Sequence, residues 1–158
     1  MVHDALLPGK RIWFFATGTG IAPFASLLRE PQTFEDYDQI ILTHTCRNRN
    51  ELAYGENLIQ EIKNGGVMSE LVGDDAINKL IYYPTTTRDQ SNQMGRITDL
   101  LENGKLLKDL GIESIAKETD RAMVCGSIGL NTDLKKIFEE FGLKEGANSD
   151  PAHYVVET

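Results

Sequence analysis

A doubly wound α/β domain, with a mostly parallel five-stranded sheet and helices on both faces, is the fold this sequence predicts. Three observations predict it. Short apolar, β-branched runs alternate with segments of helical spacing along the whole chain. Glycines stand where several of the helical segments should stop. The residues with recognisable chemistry fall just after the strand-like runs, where such a sheet gathers its ligands near a topological switch point.

Taken in order, Arg11–Ala16 (RIWFFA) is the first strand, followed by a glycine-containing turn and a helix from about Pro23 to Arg29. Gln39–Thr45 (QIILTHT) is a second buried strand. Glu51–Lys63 has helical spacing in Leu52, Leu58, Ile59 and Ile62, and Gly65-Gly66 ends it. A helix is expected over about Asp74–Lys79. Leu80–Thr87 is strand-like, although Pro84 removes a ladder donor. Ile97–Glu102 is a short helix closed by Asn103-Gly104, and Leu106–Leu110 adds a helical turn. Arg121–Cys125 is the fourth strand, Leu130–Phe141 an amphipathic helix ended by Gly142, and Ala152–Val156 the fifth strand.

The 158 residues suffice for one domain with a sizeable core, and a 41% hydrophobic content argues against global disorder. No apolar run reaches the roughly 20 residues of a membrane span. No signal-peptide block opens the sequence, so a cytoplasmic location is expected. Cys46 and Cys125 lie far apart in strand-like contexts, which speaks against a disulfide framework and offers no metal-ligand spacing. A net charge of −8 excludes the basic field a nucleic-acid binder needs. Within that acidic total, four of the seven arginines (Arg47, Arg49, Arg88 and Arg96) fall in one short stretch. Such a cluster suggests a small anion.

Four segments carry the chemistry. Ala16–Pro23 (ATGTGIAP) links a strand to a helix. Gly18 and Gly20 permit close backbone approach, and the amides opening the helix can face a pyrophosphate. Thr17 and Thr19 add hydroxyls, and Pro23 suits a first helical turn. Pro23 also replaces the third glycine of the G-x-G-x-x-G fingerprint, so an ordinary dinucleotide dehydrogenase matches poorly. A tight turn without a ligand is an equally good reading of this segment alone. In Thr43–Tyr54, Arg47 and Arg49 precede the first acid, Glu51, where an NAD site would place a carboxylate on the ribose. Guanidinium groups there favour a 2′-phosphate, as in NADP, although one loop arginine alone is usually just solvated. His44 reads as a packed strand-end residue; Tyr54 reads as core or as a stacking surface for adenine. In Thr86–Ile97, Arg88 and Arg96 join the same phosphate if their loop folds over the second; otherwise Arg96 pairs with nearby acids and Arg88 is exposed. In Val124–Ser127, Cys125 is either an inert core thiol or a neighbour of a nicotinamide ring, with Gly126 and Gly129 leaving space. No paired histidine marks Cys125 as a nucleophile.

The stretches Leu6–Trp13, Ala16–Phe24, the H-x-x-R-x-x-x-E-L-A-Y run of His44–Tyr54, Pro84–Arg88, Gly95–Leu100, Cys125–Ser127 and His153–Glu157 resemble, in this order, the bacterial ferredoxin/flavodoxin–NADP reductases. They span nearly the whole chain. The resemblance implies a ferredoxin reductase-like NADP-binding domain. Thr17, Gly18, Thr19, Gly20 and Pro23 would shape the pyrophosphate and nicotinamide-ribose site. Arg47, Arg88 and Arg96, assisted by Thr87, would hold the 2′-phosphate. Cys125, Gly126 and Ser127 would border the nicotinamide, and Glu157 would stand near the redox centre, assisting positioning or proton movement; Cys125 and Glu157 are thus the catalytic candidates.

The implied cofactors are NADP(H) and, in the complete enzyme, FAD. The implied partners are ferredoxin or flavodoxin and a flavin-binding domain. The family's N-terminal flavin-binding barrel, with its R-x-Y-S-type motif, has no counterpart in residues 1–158, which are expected to form a single NADP(H)-binding domain. That implies exposed apolar surface and an isolated chain without reductase activity. The alternatives are the pyridine-nucleotide domain of an oxygenase- or flavohaemoglobin-type reductase, a non-catalytic nucleotide-binding module, and a flavodoxin-like FMN binder.

Overall fold

The computed structural model describes residues 3–157. Five strands, β1 (Arg11–Thr17), β2 (Gln39–Cys46), β3 (Leu80–Thr86), β4 (Asp120–Cys125) and β5 (Tyr154–Glu157), form one sheet in the order β3-β2-β1-β4-β5. All four pairings are parallel, so the expected sheet is parallel throughout. β1 is the central strand, buried on both faces. That is why it reads as a continuous apolar run and not as an alternating one.

The pleat of β1 sorts its side chains between two cores. Ile12, Phe14 and Ala16 face one layer, built from α1 (Ala22–Leu28), α2 (Pro31–Asp36), α3 (Ala53–Lys63), α4 (Val67–Val72) and α5 (Asp74–Ile77). Trp13 and Phe15 face the other, built from α6 (Ile97–Glu102), α7 (Lys105–Leu110) and α8 (Ile128–Glu140). Burying each such large apolar side chain stabilises the fold by roughly 1.5–3 kcal/mol. Pro84 lies in β3, an edge strand of the sheet, where a missing ladder donor is tolerated.

The chain winds outward from β1 through β2 to β3 over the first core, then returns to β4 and β5 over the second. The switch in winding therefore lies between β1 and β4, and their carboxyl ends open side by side.

Two helices were not expected from the sequence. α2 and α4 are each six residues long, the same length as α6 and α7, which were expected. Pro31 at the start of α2 is the signal that could have located it. The helices expected from Pro23 and from Glu51 each open with a 3-10 turn, Gly18–Ile21 and Arg49–Leu52. Asp74–Lys79 shortens to Asp74–Ile77. Gly65, Gly104 and Gly142 take positive φ at helix ends, as their positions suggested.

Candidate functional site

The carboxyl ends of β1, β2, β3 and β4, with the end of β5, frame one cleft of about 900 Å³. Thr17, Gly18, Thr19, Gly20 and Pro23 form its floor. Arg47 and Thr87 follow β2 and β3 on one side of β1; Cys125, Gly126, Ser127 and Glu157 come from β4, the turn after it and β5 on the other; Arg96, at the start of α6, also lines the cleft. All the residues that the resemblance assigned to cofactor binding or catalysis line this cleft except Arg88; Arg49, His44, Tyr54 and Gly129, also discussed from the sequence, lie outside its wall. The wall also includes Cys46 and Glu51, together with Thr45, Ile97, Thr98 and Leu130, which were not singled out. Thr45 and Ile97 lie inside the segments named from the sequence, Thr98 directly follows one, and Leu130 is three residues beyond Ser127; that position, at a strand end or in a first helical turn, is the signal that could have found them.

The glycine turn is shaped more by protein than by open space. Gly18 has φ 52°, in the left-handed region, with nothing near the direction a side chain would take. Gly20 differs: a Cβ there would collide with the Cys125 carbonyl. Its missing side chain lets the turn close against β4, where the sequence had suggested only approach to a ligand. Gly126 is likewise packed against Thr17 Oγ1 and Leu130, whereas Gly129 faces open space. The Ser127 N–H donates to Thr17 Oγ1 (3.1 Å), and Ser127 Oγ accepts from the Leu130 N–H (3.2 Å), capping α8. These two hydroxyls therefore hold the switch point together, while Thr19 stays exposed.

On the first side, the loops after β2 and β3 are joined through their backbones. The Thr87 N–H donates to the Cys46 carbonyl (3.0 Å), and the Arg88 N–H to the Arg47 carbonyl (2.9 Å). Asp89 Oδ2 accepts from the Arg49 N–H (3.0 Å). Arg88 is thus beside Arg47 in the backbone, although its exposed side chain is not part of the cleft wall. Arg96 forms an ion pair with Asp133 of α8 (3.3 Å). Both side chains are about half exposed, and such surface pairs contribute little, about 0–1 kcal/mol. Arg47 and Arg88 form no ion pair among the described residues.

Glu51 is engaged elsewhere. Its Oε1 accepts from the Asn48 N–H (2.9 Å), and the Asn48 side chain caps the Glu51 N–H in return. The first acid after β2 is therefore a helix-capping group.

On the other side of β1, Cys125 is paired in register with Glu157. Burial, followed by the Glu157 charge, pushes the Cys125 thiol up, so it is protonated at neutral pH and suited to contact, not nucleophilic attack. The Glu157 carbonyl accepts from Asn131 Nδ2 (3.3 Å), tying β5 to α8. Both cysteines are free thiols.

His44 is buried, in line with its reading as a packed strand-end residue. Its Nε2 lies 2.8 Å from the Gly18 carbonyl. Burial holds its pKa below the ordinary value, with the Gly18 contact opposing that shift. Tyr54 is half exposed on α3 and is neither core nor cleft wall.

The family model described as "Oxidoreductase NAD-binding domain" matches residues 14–136. The chain is 55% identical, over 99% of its length, to a flavodoxin/ferredoxin–NADP reductase of Rhodobacter capsulatus. It is 40% identical, again over 99% of its length, to a ferredoxin–NADP reductase of Pseudomonas aeruginosa. It spans 57% and 60% of the length of those relatives. Among solved structures, it superposes with a TM-score of 0.81 on a Neisseria gonorrhoeae ferredoxin NADP+ reductase that has FAD and NADP bound. That likeness covers 99% of this chain and 58% of the other at 23% identity, and shows a shared fold. A Malassezia yamatoensis flavohemoglobin shares the fold at a TM-score of 0.64 and 14% identity, over 96% of this chain and 32% of the other.

Proposed function

The chain belongs to the oxidoreductase NAD-binding domain family, and on that footing we propose that it is the NADP(H)-binding part of a ferredoxin/flavodoxin–NADP reductase. In this reading it holds NADP(H) across the strand ends, with FAD bound by a part of the protein outside these 158 residues. The observation that carries the reading is the pairing of cleft and charge. One cleft is lined by Arg47 and Arg96 as well as by Cys125 and Glu157, and Glu51 is diverted into a helix cap.

The residues present fit the dinucleotide. Arg47 and Arg88 offer guanidinium groups without ion-pair partners among the described residues, suited to a 2′-phosphate. Arg96 joins them by exchanging Asp133 for the phosphate, and Thr87 adds a hydroxyl. The first-turn amides after Gly18 lack intrahelical partners and suit a pyrophosphate. Pro23 sets the direction of α1, and Gly126 and Ser127 set the wall beside the nicotinamide. Cys125, a small neutral thiol, packs against the ring, and Glu157 positions the redox end from β5. The bound cofactors supply hydride and electron chemistry; the protein supplies orientation and exclusion of water. Ferredoxin or flavodoxin is the proposed electron partner, in a cytoplasmic setting.

A chimera tests the reading. This chain replaces the matching segment of the Rhodobacter capsulatus relative, and NADPH-dependent dye reduction is followed. Activity dependent on Arg47 supports the proposal. A folded, flavin-loaded chimera that neither binds nor oxidises NADPH contradicts it.

A further inference from the structure

The Gly18 carbonyl points into the protein, toward β2. His44 Nε2 lies 2.8 Å from it, and the Cys46 thiol lies 3.4 Å from the same imidazole nitrogen and donates to the Glu51 carbonyl (3.6 Å). A carbonyl oxygen only accepts, so Nε2 must carry the proton and the imidazole is the Nε2–H tautomer. His44 is 1% exposed, so this donor has little competition from water.

The consequence lies on the other side of the peptide. No peptide bond among the described residues is cis, and in a trans peptide the C=O and N–H point in opposite directions. Drawing the Gly18 carbonyl inward therefore turns the Thr19 N–H outward, where Thr19 is exposed along the cleft. Gly18, at φ 52°, has the most permissive backbone of the turn and opens the 3-10 turn Gly18–Ile21. On the far side, contact between Gly20 and the Cys125 carbonyl restrains the turn sterically.

We propose that His44 is a positioning residue for dinucleotide binding: through the Gly18 carbonyl it aims the Thr19 amide at the pyrophosphate. This rests on the reading of the cleft as an NADP(H) site. It assigns His44 an effect on the pyrophosphate and none on the 2′-phosphate, which the arginine loops hold. A general packing role for a buried histidine makes no such distinction.

The test uses the 158-residue chain with His44→Phe and His44→Gln, titrated with NADP+ and with adenosine 2′-phosphate, which lacks the pyrophosphate. Removing the donor with His44→Phe is expected to weaken NADP+ about tenfold, the effect of one well-placed hydrogen bond, and to leave adenosine 2′-phosphate within about twofold. Glutamine can place an N–H near the Nε2 position, so His44→Gln should restore most of the NADP+ affinity. Nitrogen NMR of the unmodified chain should show a neutral imidazole protonated at Nε2, a readout that does not depend on any variant folding. Equal NADP+ affinity in His44→Phe, parallel loss of both ligands, or an Nδ1-protonated tautomer would overturn the inference. If the unmodified chain binds neither ligand, the cleft assignment fails first and this inference with it. If the unmodified chain binds both and His44→Phe is indifferent, only the inference fails.

Discussion

The arginines gathered between positions 47 and 96 differ in what already holds them, and that difference sets what each substitution should do. Arg47 and Arg88 lack ion-pair partners among the described residues, whereas Arg96 meets Asp133 at 3.3 Å. Losing a charge-assisted contact costs about 1.5–3 kcal/mol, so Arg47→Ala or Arg88→Ala should weaken 2′-phosphorylated ligands by about ten- to a hundredfold. Arg96→Ala should cost less, because binding must first displace Asp133. Asp133→Asn should tighten the same ligands modestly. Calorimetry at low and high salt checks both statements, since the arginine contribution should shrink as screening rises.

His44 supplies a pH prediction at the same scale. Burial lowers its pKa from 6.5, and burial lowers that of His153 too. Below pH 6.5 the unfolded chain binds protons that the folded chain refuses. The stability present above 6.5 is therefore lost as pH falls through the lowered folded value. Urea midpoints should drop between about pH 7.5 and about pH 5, and His44→Gln should reduce that drop.

Among the elements, the site depends on where β1, β2 and β4 end and how tightly the intervening turns pack. A methyl group at Gly55 of α3 would press on Tyr82 Oη (2.6 Å) and His44 Nδ1 (3.0 Å). Gly55→Ala should therefore destabilise the fold by about 1–3 kcal/mol, the usual cost of overpacking, and disturb the turn that His44 holds. Gly20→Ala should cost more than Gly18→Ala. The first meets backbone, which cannot swing aside, and the second meets only conformational strain of about 1–2 kcal/mol. Thermal unfolding of the variants ranks them.

Much at this scale was legible in the sequence. The five strands could be located because buried parallel strands read as apolar runs, and the four chemical segments because each directly follows one. α2 and α4 were not read as helices, although α6 and α7, of the same length, were. The role of Gly20 was not legible. A glycine that admits a neighbouring carbonyl and one that admits a ligand look identical until β4 is placed beside β1. The His44–Gly18 contact spans 26 residues with no local pattern to announce it.

For the molecule as a whole, the resemblance implied apolar surface left open. Among the described residues, Leu7, Tyr54, Val67, Leu71, Met94 and Ile128 are the large exposed hydrophobics; Val67 and Leu71 share α4, and the others lie on separate segments. Ile128, 84% exposed, directly follows the cleft-lining Ser127 at the start of α8. The chain's net charge of −8 makes its arginine cluster a local exception on an acidic body. The same isolated chain is expected to bind NADP(H) yet show negligible dye reduction, because hydride transfer needs a flavin; turnover by pure, flavin-free chain would contradict that expectation.

The central claim is that this cleft selects the 2′-phosphate of NADP. Calorimetric titration of the purified chain with NADP+, NAD+ and 2′-phospho-AMP at low salt tests it most directly. The account predicts clear preference for the two ligands carrying a 2′-phosphate, lost in Arg47→Ala or Arg88→Ala. Equal affinity for NAD+ and NADP+, or binding indifferent to both arginines, would contradict it.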